Sequence, residues 1–372
     1  MWPLYAAGFT TAFGAHGIAA NLGAEPLRSV LYLGVLLALY DGAEVVLKPV
    51  FGTLADHVGA RPVLVGGLIG FAGASALFVA VRDPGWLWAA RLGQGAGASA
   101  FSPAASALVA RLNPRAGHGR AFGTYGFAKS IGYTAGPLLG GVLVWTGGLT
   151  LLFAVLTAVA AAVALWAAAA VPTVPPLPKT RQTLADLARR LTDGAFLRPV
   201  TALAAATAAL SVGVGFLPLA GRTDGLSPVA TGAAVSALAL CAAVTQPQAG
   251  RALDAGHLTA RTGVTAGLVL IACGLAAAVL PGVLGLLLAA VLIGMGTGVI
   301  TPLAFAALVA GTPRERLGQT LGTAELGREL GDAGGPLLVA SIAAGASLGW
   351  GFVVLGVVLG VSAVVSSGRW RD

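Results

Sequence analysis

Two stretches 199 positions apart decide the architecture: NPRAGHGRAFGTYGFAKSIGYTAGPLL, Asn113–Leu139, and TPRERLGQTLGTAELGRELGDAGGPLL, Thr312–Leu338. Overlaid without gaps, they pair Pro114 with Pro313, Arg115 with Arg314, Gly119 with Gly318, Gly123 with Gly322 and Thr124 with Thr323. Gly132 falls on Gly331, and Gly136-Pro137-Leu138-Leu139 on Gly335-Pro336-Leu337-Leu338. A shift of 198 places Gly52 and Asp56 on Gly250 and Asp254. A chain rich in Gly and Ala gives chance matches at those residues, but it does not keep Pro, Arg, Thr and Asp in register. The chain is a duplicated unit.

The composition says what kind of unit. Of 372 residues, 57% are hydrophobic and 10% charged, with mean hydropathy +0.87. Soluble domains carry about 25% charged residues, so an ordinary soluble enzyme, a disordered chain and a fibre are excluded. The natural unit is instead a membrane span of about 20 apolar residues. Twelve such stretches are read, at 2–21, 29–51, 62–81, 85–110, 120–143, 149–171, 198–220, 227–249, 262–280, 283–310, 317–343 and 347–367. The first lacks a basic leader and reads as a span, not a signal peptide. The segment 172–197 opens with a proline cluster and turns polar, so it reads as a linker between halves 1–171 and 198–372. Cys241 and Cys273 sit far apart in apolar runs, with neither disulfide nor metal-ligand spacing.

Net charge is +8, and its placement explains it. Fifteen Lys and Arg fall on one side of the spans, three on the other and four within them. The rich side is cytoplasmic by the positive-inside rule, and an even number of spans then puts both ends inside. The bias accounts for the basic balance without nucleic acid. Tyr5, Trp86, Trp88, Trp145, Trp350 and Trp370 lie near span ends, as in an interfacial aromatic belt.

Three local patterns carry a family resemblance. Gly52-Thr53-Leu54-Ala55-Asp56-His57-Val58-Gly59-Ala60-Arg61 resembles the G-x-L-a-D-x-x-G-x-R signature of the major facilitator superfamily. Arg91-Leu92-Gly93-Gln94-Gly95 is similar to its R-x-x-q-G motif. Gly132 to Gly141, with Gly136, Pro137 and Gly140, resembles the G-x-x-x-G-P-x-x-G-G motif of its proton-coupled drug antiporters. The resemblance covers essentially the whole chain. It implies an all-α membrane protein of twelve transmembrane helices in two pseudo-symmetric six-helix bundles, with helices one, four, seven and ten lining a cavity. It also implies a cytoplasmic latch built on Gly52, Asp56, Gly59, Arg61 and Asp254. Residue chemistry agrees: Asp56 is suited to accept hydrogen bonds from helix N-terminal amides, and Gly132, Gly136 and Gly140 make a smooth ridge for close packing.

Ionisable groups inside spans are costly and point to function. Asp41, Glu44 and Lys48 share one sector of span two, and Glu325, Arg328, Glu329 and Asp332 one face of span eleven. Arg91 lies in span four and Lys129 in span five. If the two stripes meet, Asp41 or Glu44 pairs with Arg328 and Lys48 with Glu325, in a charge network that includes Lys129. Five carboxylates against four cations leave at least one carboxylate as a proton site, with Asp41, Glu44, Glu329 and Asp332 as candidates and Arg91 as the cation that displaces the proton. His16, Gln94 and Tyr125 are candidate cavity groups. Span one has no acid, unlike many drug–proton antiporters.

No Walker loop, nucleophile–base set or His/Cys cluster appears, so neither an enzyme, a cofactor nor a metal is expected. The reading is a monomeric secondary transporter in a bacterial cytoplasmic membrane, exchanging protons for small organic compounds in multidrug-type efflux. Transport of an anionic metabolite on Arg91, Lys129 and Arg328 is the alternative, and a non-transporting membrane sensor or enzyme the remote one.

Overall fold

The structure is a computed structural model and describes residues 1–21, 30–81, 86–176 and 193–366. Most of the linker lies outside the described residues, as do Arg28, Arg82 and Trp370. Among the described residues the regular structure is entirely helical: α1 (Trp2–Asn21), α2 (Val30–His57), α3 (Ala60–Val81), α4 (Leu87–Arg111), α5 (His118–Ala170), α6 (Gly194–Thr223), α7 (Pro228–Asp254), α8 (Ala260–Ala277), α9 (Gly282–Ala310), α10 (Leu317–Gly345) and α11 (Leu348–Ser366). One 3-10 turn, Arg115–Gly117, leads into α5, and its repeat mate Arg314–Arg316 leads into α10.

Six described segments are long and apolar enough to cross a membrane: Ala60–Val81, Arg115–Ala170, Gly194–Thr223, Ala230–Asp254, Ala260–Ala277 and Gly282–Ala310. In lipid every backbone group needs an internal partner, which the helix supplies. α5 breaks at Gly147 (φ −152°, ψ 21°) and Gly148 (φ 66°, ψ −174°), leaving helical stretches 118–146 and 149–170. The Gly148 conformation is open in practice only to glycine. Boundaries elsewhere follow capping chemistry. Asp193 accepts from the Ala195 amide at 3.0 Å, Ser227 caps α7 ahead of Pro228, and Thr259 and Thr262 close a capping box on α8. Prolines recur in register inside the helices, Pro49 with Pro247, Pro103 with Pro302 and Pro137 with Pro336.

The chain forms two compact units. The first comprises Met1–Asn113, Ala128–Thr180 and Thr312–Leu326; the second comprises Pro114–Phe127, Arg181–Gly311 and Gly327–Asp372. The start of α5 therefore belongs to the second unit and the start of α10 to the first. The unit boundaries after Phe127 and Leu326 are 199 residues apart, the shift of the repeat.

Each unit is built around one buried helix. In the first, α4 packs on α3, α2 and α1; in the second, α9 packs on α7, α8 and α6. Small residues allow close approach. A Cβ on Gly67 would stand 2.8 Å from the Gly97 carbonyl, and one on Gly97 2.8 Å from the Gly67 carbonyl. Gly267 and Gly296 repeat this contact between α8 and α9.

Candidate functional site

The chain after α2 turns at Gly59, whose φ of 114° suits glycine. This sets Asp56, 2% exposed, against the first turn of α10. Its Oδ1 accepts from the Gly318 amide at 2.8 Å and its Oδ2 from the Gln319 amide at 3.0 Å. First-turn amides have no partner within their own helix, so an acceptor from elsewhere is favoured there. Burial pushes the Asp56 carboxyl above its ordinary range, against the pull of these two amides, Arg111 and His57. The amides thus offset only part of the cost of burying the charge. Close approach makes the contact possible: a Cβ on Gly52 would meet the Gly318 carbonyl at 2.5 Å, and one on Gly322 the Lys48 carbonyl at 2.7 Å. Arg61 points elsewhere, donating to the Ala168 carbonyl.

The second unit repeats this arrangement atom for atom. Asp254 Oδ1 accepts from the Gly119 amide at 2.9 Å and Oδ2 from the Arg120 amide at 2.7 Å, at the start of α5. Gly250 lies against the Gly119 carbonyl, and a Cβ on Gly123 would stand 2.6 Å from the Gln246 carbonyl.

Among the described residues the buried Asp, Glu, Lys and Arg side chains lie in the first unit. Glu44, Lys48, Arg91, Lys129 and Glu325 are all buried there. Lys48 Nζ lies 2.6 Å from Glu44 Oε2, one turn earlier on its own helix. Glu325 Oε2 lies 3.8 Å from Lys129 Nζ on α5. Lys48, Glu44, Lys129 and Glu325, four groups of the expected charge network, thus lie buried in one unit. Asp41 is not covered by protein, and Arg328, Glu329 and Asp332 are half-buried in the second unit.

Arg91, 1% exposed, is held on three sides. Its guanidinium carbon lies 4.4 Å from the Tyr40 ring centroid, its Nε donates to the Leu36 carbonyl at 3.4 Å, and one terminal nitrogen donates to Gln94 Oε1 at 3.4 Å. Gln94 in turn donates to the Ser75 hydroxyl at 2.8 Å, which donates to the Phe71 carbonyl at 2.9 Å. Stacking on an aromatic face suits guanidinium. Gln94 and Tyr125 are buried in protein, whereas His16 is exposed, its ring 4.4 Å from that of Tyr133.

The glycines of the third motif serve packing. A Cβ on Gly132 would stand 2.5 Å from the Phe9 carbonyl, and one on Gly136 2.9 Å from the Gly17 nitrogen, so α5 lies directly on α1. Gly331 and Gly335 lie in the same way on Ala204 and Ala208 of α6. Pro137 is half-buried, Gly140 buried and Gly141 half-buried on the same helix. The repeat reaches the polar groups too. His16 with Tyr133 in the first unit corresponds to Ser211 with Asp332 in the second, where the Ser211 hydroxyl donates to Asp332. Ser75 and Ser211 carry no motif. Only the shift of 195 that overlays Phe9 and Phe13 on Ala204 and Ala208 would have singled out Ser211.

Among the described residues no group of three or more His, Cys, Asp or Glu is placed to hold a metal ion.

Comparison with known proteins fits this geometry. Over 93 residues, 25% of the chain and 18% of the relative, it is 44% identical to a puromycin resistance protein of Streptomyces alboniger. Over 113 residues, 30% of the chain and 28% of the relative, it is 34% identical to the class H tetracycline resistance protein of Pasteurella multocida. These matches thus cover less than a third of the length of either relative. The fold matches that of the human organic anion transporter MFSD10 with a TM-score of 0.80 over 98% of both chains at 19% identity, a likeness of fold alone. The family model of the Major Facilitator Superfamily matches residues 4–227 and 201–370. With the duplicated amide-capping aspartates, the paired glycine contacts and the buried Arg91 all in place, the chain belongs to the Major Facilitator Superfamily.

Proposed function

We propose that this protein is a secondary active transporter of a bacterial cytoplasmic membrane that exports small organic compounds in exchange for protons by alternating access. In this reading twelve spans form two six-helix halves, 1–171 and 198–372, joined by the linker 172–197, with both ends cytoplasmic. The observation that carries it is the pair of latches, the buried Asp56 on Gly318 and Gln319 and the half-buried Asp254 on Gly119 and Arg120. A duplicated set of helix-end contacts, each resting on a few hydrogen bonds, is what a two-state transporter needs to hold and release one conformation. The resistance proteins named above support export of drug-like compounds, and the buried Glu44 and Glu325 support coupling to protons.

The test is purified protein in liposomes that enclose a pH-sensitive dye, under an imposed proton gradient. Adding lipophilic cations, neutral drugs and organic anions in turn is expected to give proton flux with the first two classes. Flux with organic anions alone would replace this reading by carriage of an anionic metabolite on the buried cations. Substrate flux with no proton movement would sink the coupling.

A further inference from the structure

Glu325 and Lys129 stand where two helices change unit. The boundary between units in α10 follows Leu326, and that in α5 precedes Ala128. Both residues belong to the first unit, both are buried, and Glu325 Oε2 lies 3.8 Å from Lys129 Nζ.

The duplication separates scaffold from function at this corner. Gly52, Asp56, Gly318 and Gly322 recur as Gly250, Asp254, Gly119 and Gly123 with the same contacts. At the same corner Lys48 corresponds to Gln246, Glu44 to Ala242 and Glu325 to Gly126. In the second unit the Gln246 side chain lies over Gly126, so the fold builds this corner without a carboxylate. A buried ion pair is costly to assemble and often adds nothing to stability. One present in one copy and absent from the other is not there for the fold.

Which carboxylate titrates follows from topology. Glu44 and Lys48 sit one turn apart on α2, so they stay together however the helices move. Glu325 and Lys129 are on different helices and can part. Glu325 also shares the segment 312–326 with the Gly318 and Gln319 amides that Asp56 holds. We propose that Glu325 is the carboxylate through which the proton acts: ionised, it pairs with Lys129 and keeps 312–326 packed in the first unit; protonated, it gives up the pair and frees the segment from Asp56. This rests on the proton-coupled reading above and names its site.

The charged groups around Glu325 are Lys48, Glu44 and Asp56 on α2, whose carbonyl at Lys48 touches Gly322, and Lys129 on α5. Arg328, Glu329 and Asp332 follow on α10 itself, and α6, which packs Val200 on Gly327, carries Arg198. Protonating Glu325 removes the carboxylate held against Lys129. Loss of that charge weakens the hold between α10 and α5, because the attraction of an ion pair needs both charges.

The experiment has two arms. In proteoliposomes Glu325→Gln is expected to lose substrate-driven proton flux at least tenfold while still exchanging substrate between equal pools, and Glu325→Asp to retain proton flux. Wild-type proton flux in Glu325→Gln would overturn the proposal and leave the transport reading standing, whereas absence of proton flux in the wild type would instead overturn that reading. The second arm needs no transport. After correction for intrinsic exchange, amide exchange across 312–326 in the wild type is expected to rise several-fold as pH falls, and in Glu325→Gln to stay fast at every pH. A segment whose protection ignores pH in the wild type would overturn the proposal.

Discussion

Asp56 and Asp254 stand 198 residues apart and make the same pair of hydrogen bonds, each carboxylate spanning two consecutive amides at the start of a helix. The carboxylate is the one side chain at either corner that accepts both amides at once. Hydrogen bonds to a charged group contribute about 1.5–3 kcal/mol each. An Asn has one acceptor oxygen and turns an NH2 toward the second amide.

Asp56→Ala and Asp254→Ala are therefore each expected to slow turnover about tenfold or more, with Asn at either site intermediate. Folding is expected to survive, because a released helix end can take water in place of the carboxylate. Initial rates in proteoliposomes, with monodispersity in detergent as the control, check this. Full activity in both Ala variants would remove the latch role.

Gly322 is a second point of control. A Cβ there would stand 2.7 Å from the Lys48 carbonyl, a backbone atom that cannot step aside. Gly322→Ala is expected to weaken the packing of 312–326 and raise its amide exchange at least fivefold. Gly73→Ala, where a Cβ meets nothing within 4 Å, is expected to leave exchange unchanged and to gain about 0.5–1 kcal/mol from helix propensity.

The chain of Arg91, Gln94 and Ser75 predicts an effect that motif reading misses. Ser75→Ala leaves the buried Gln94 amide without its acceptor, at a cost of about 1–3 kcal/mol, and loosens the guanidinium. Ser99→Ala, whose hydroxyl only binds Ala96 on its own helix, is expected to change stability by less than about 0.5 kcal/mol. Denaturant titration in detergent compares the two. Equal losses would mean that the α3–α4 bond carries no weight.

Gly148 in α5 has φ 66° and ψ −174°, where a side chain is strained. Gly148→Ala is expected to cost about 1–3 kcal/mol and to lower the yield of folded protein. Thermal unfolding followed by loss of monodispersity measures it, and an unchanged midpoint would mean that the break relaxes freely.

Much of this molecule was legible in its residues. The span-length apolar runs follow from the length of helix that lipid demands, and the 198–199 shift marked Asp56 with Asp254 and Gly318 with Gly119 as equivalent positions before any contact was known. A duplicated sequence folds into duplicated local geometry, so glycines and prolines repeated in register announce the same close contacts twice. The faces of α2 and α10 that carry charge were legible as well, because the helical period fixes which residues share a side.

The partners were not. A helical face says where a side chain points, and a slide of one turn, about 5.4 Å, exchanges its neighbour. Arg91 stacks on Tyr40, Gln94 turns inward to Ser75, and Asp56 takes the amide of Gly318. These choices depend on how closely the glycines let separate helices approach. That is settled only when residues 262 positions apart, such as Asp56 and Gly318, are packed together. The sequence alone determined the span pattern, the repeat and the positions that repeat in it. Tertiary packing decided which charge meets which, and it assigned the start of α10 to the first unit, because burial, distance and dielectric exist only once the helices are assembled.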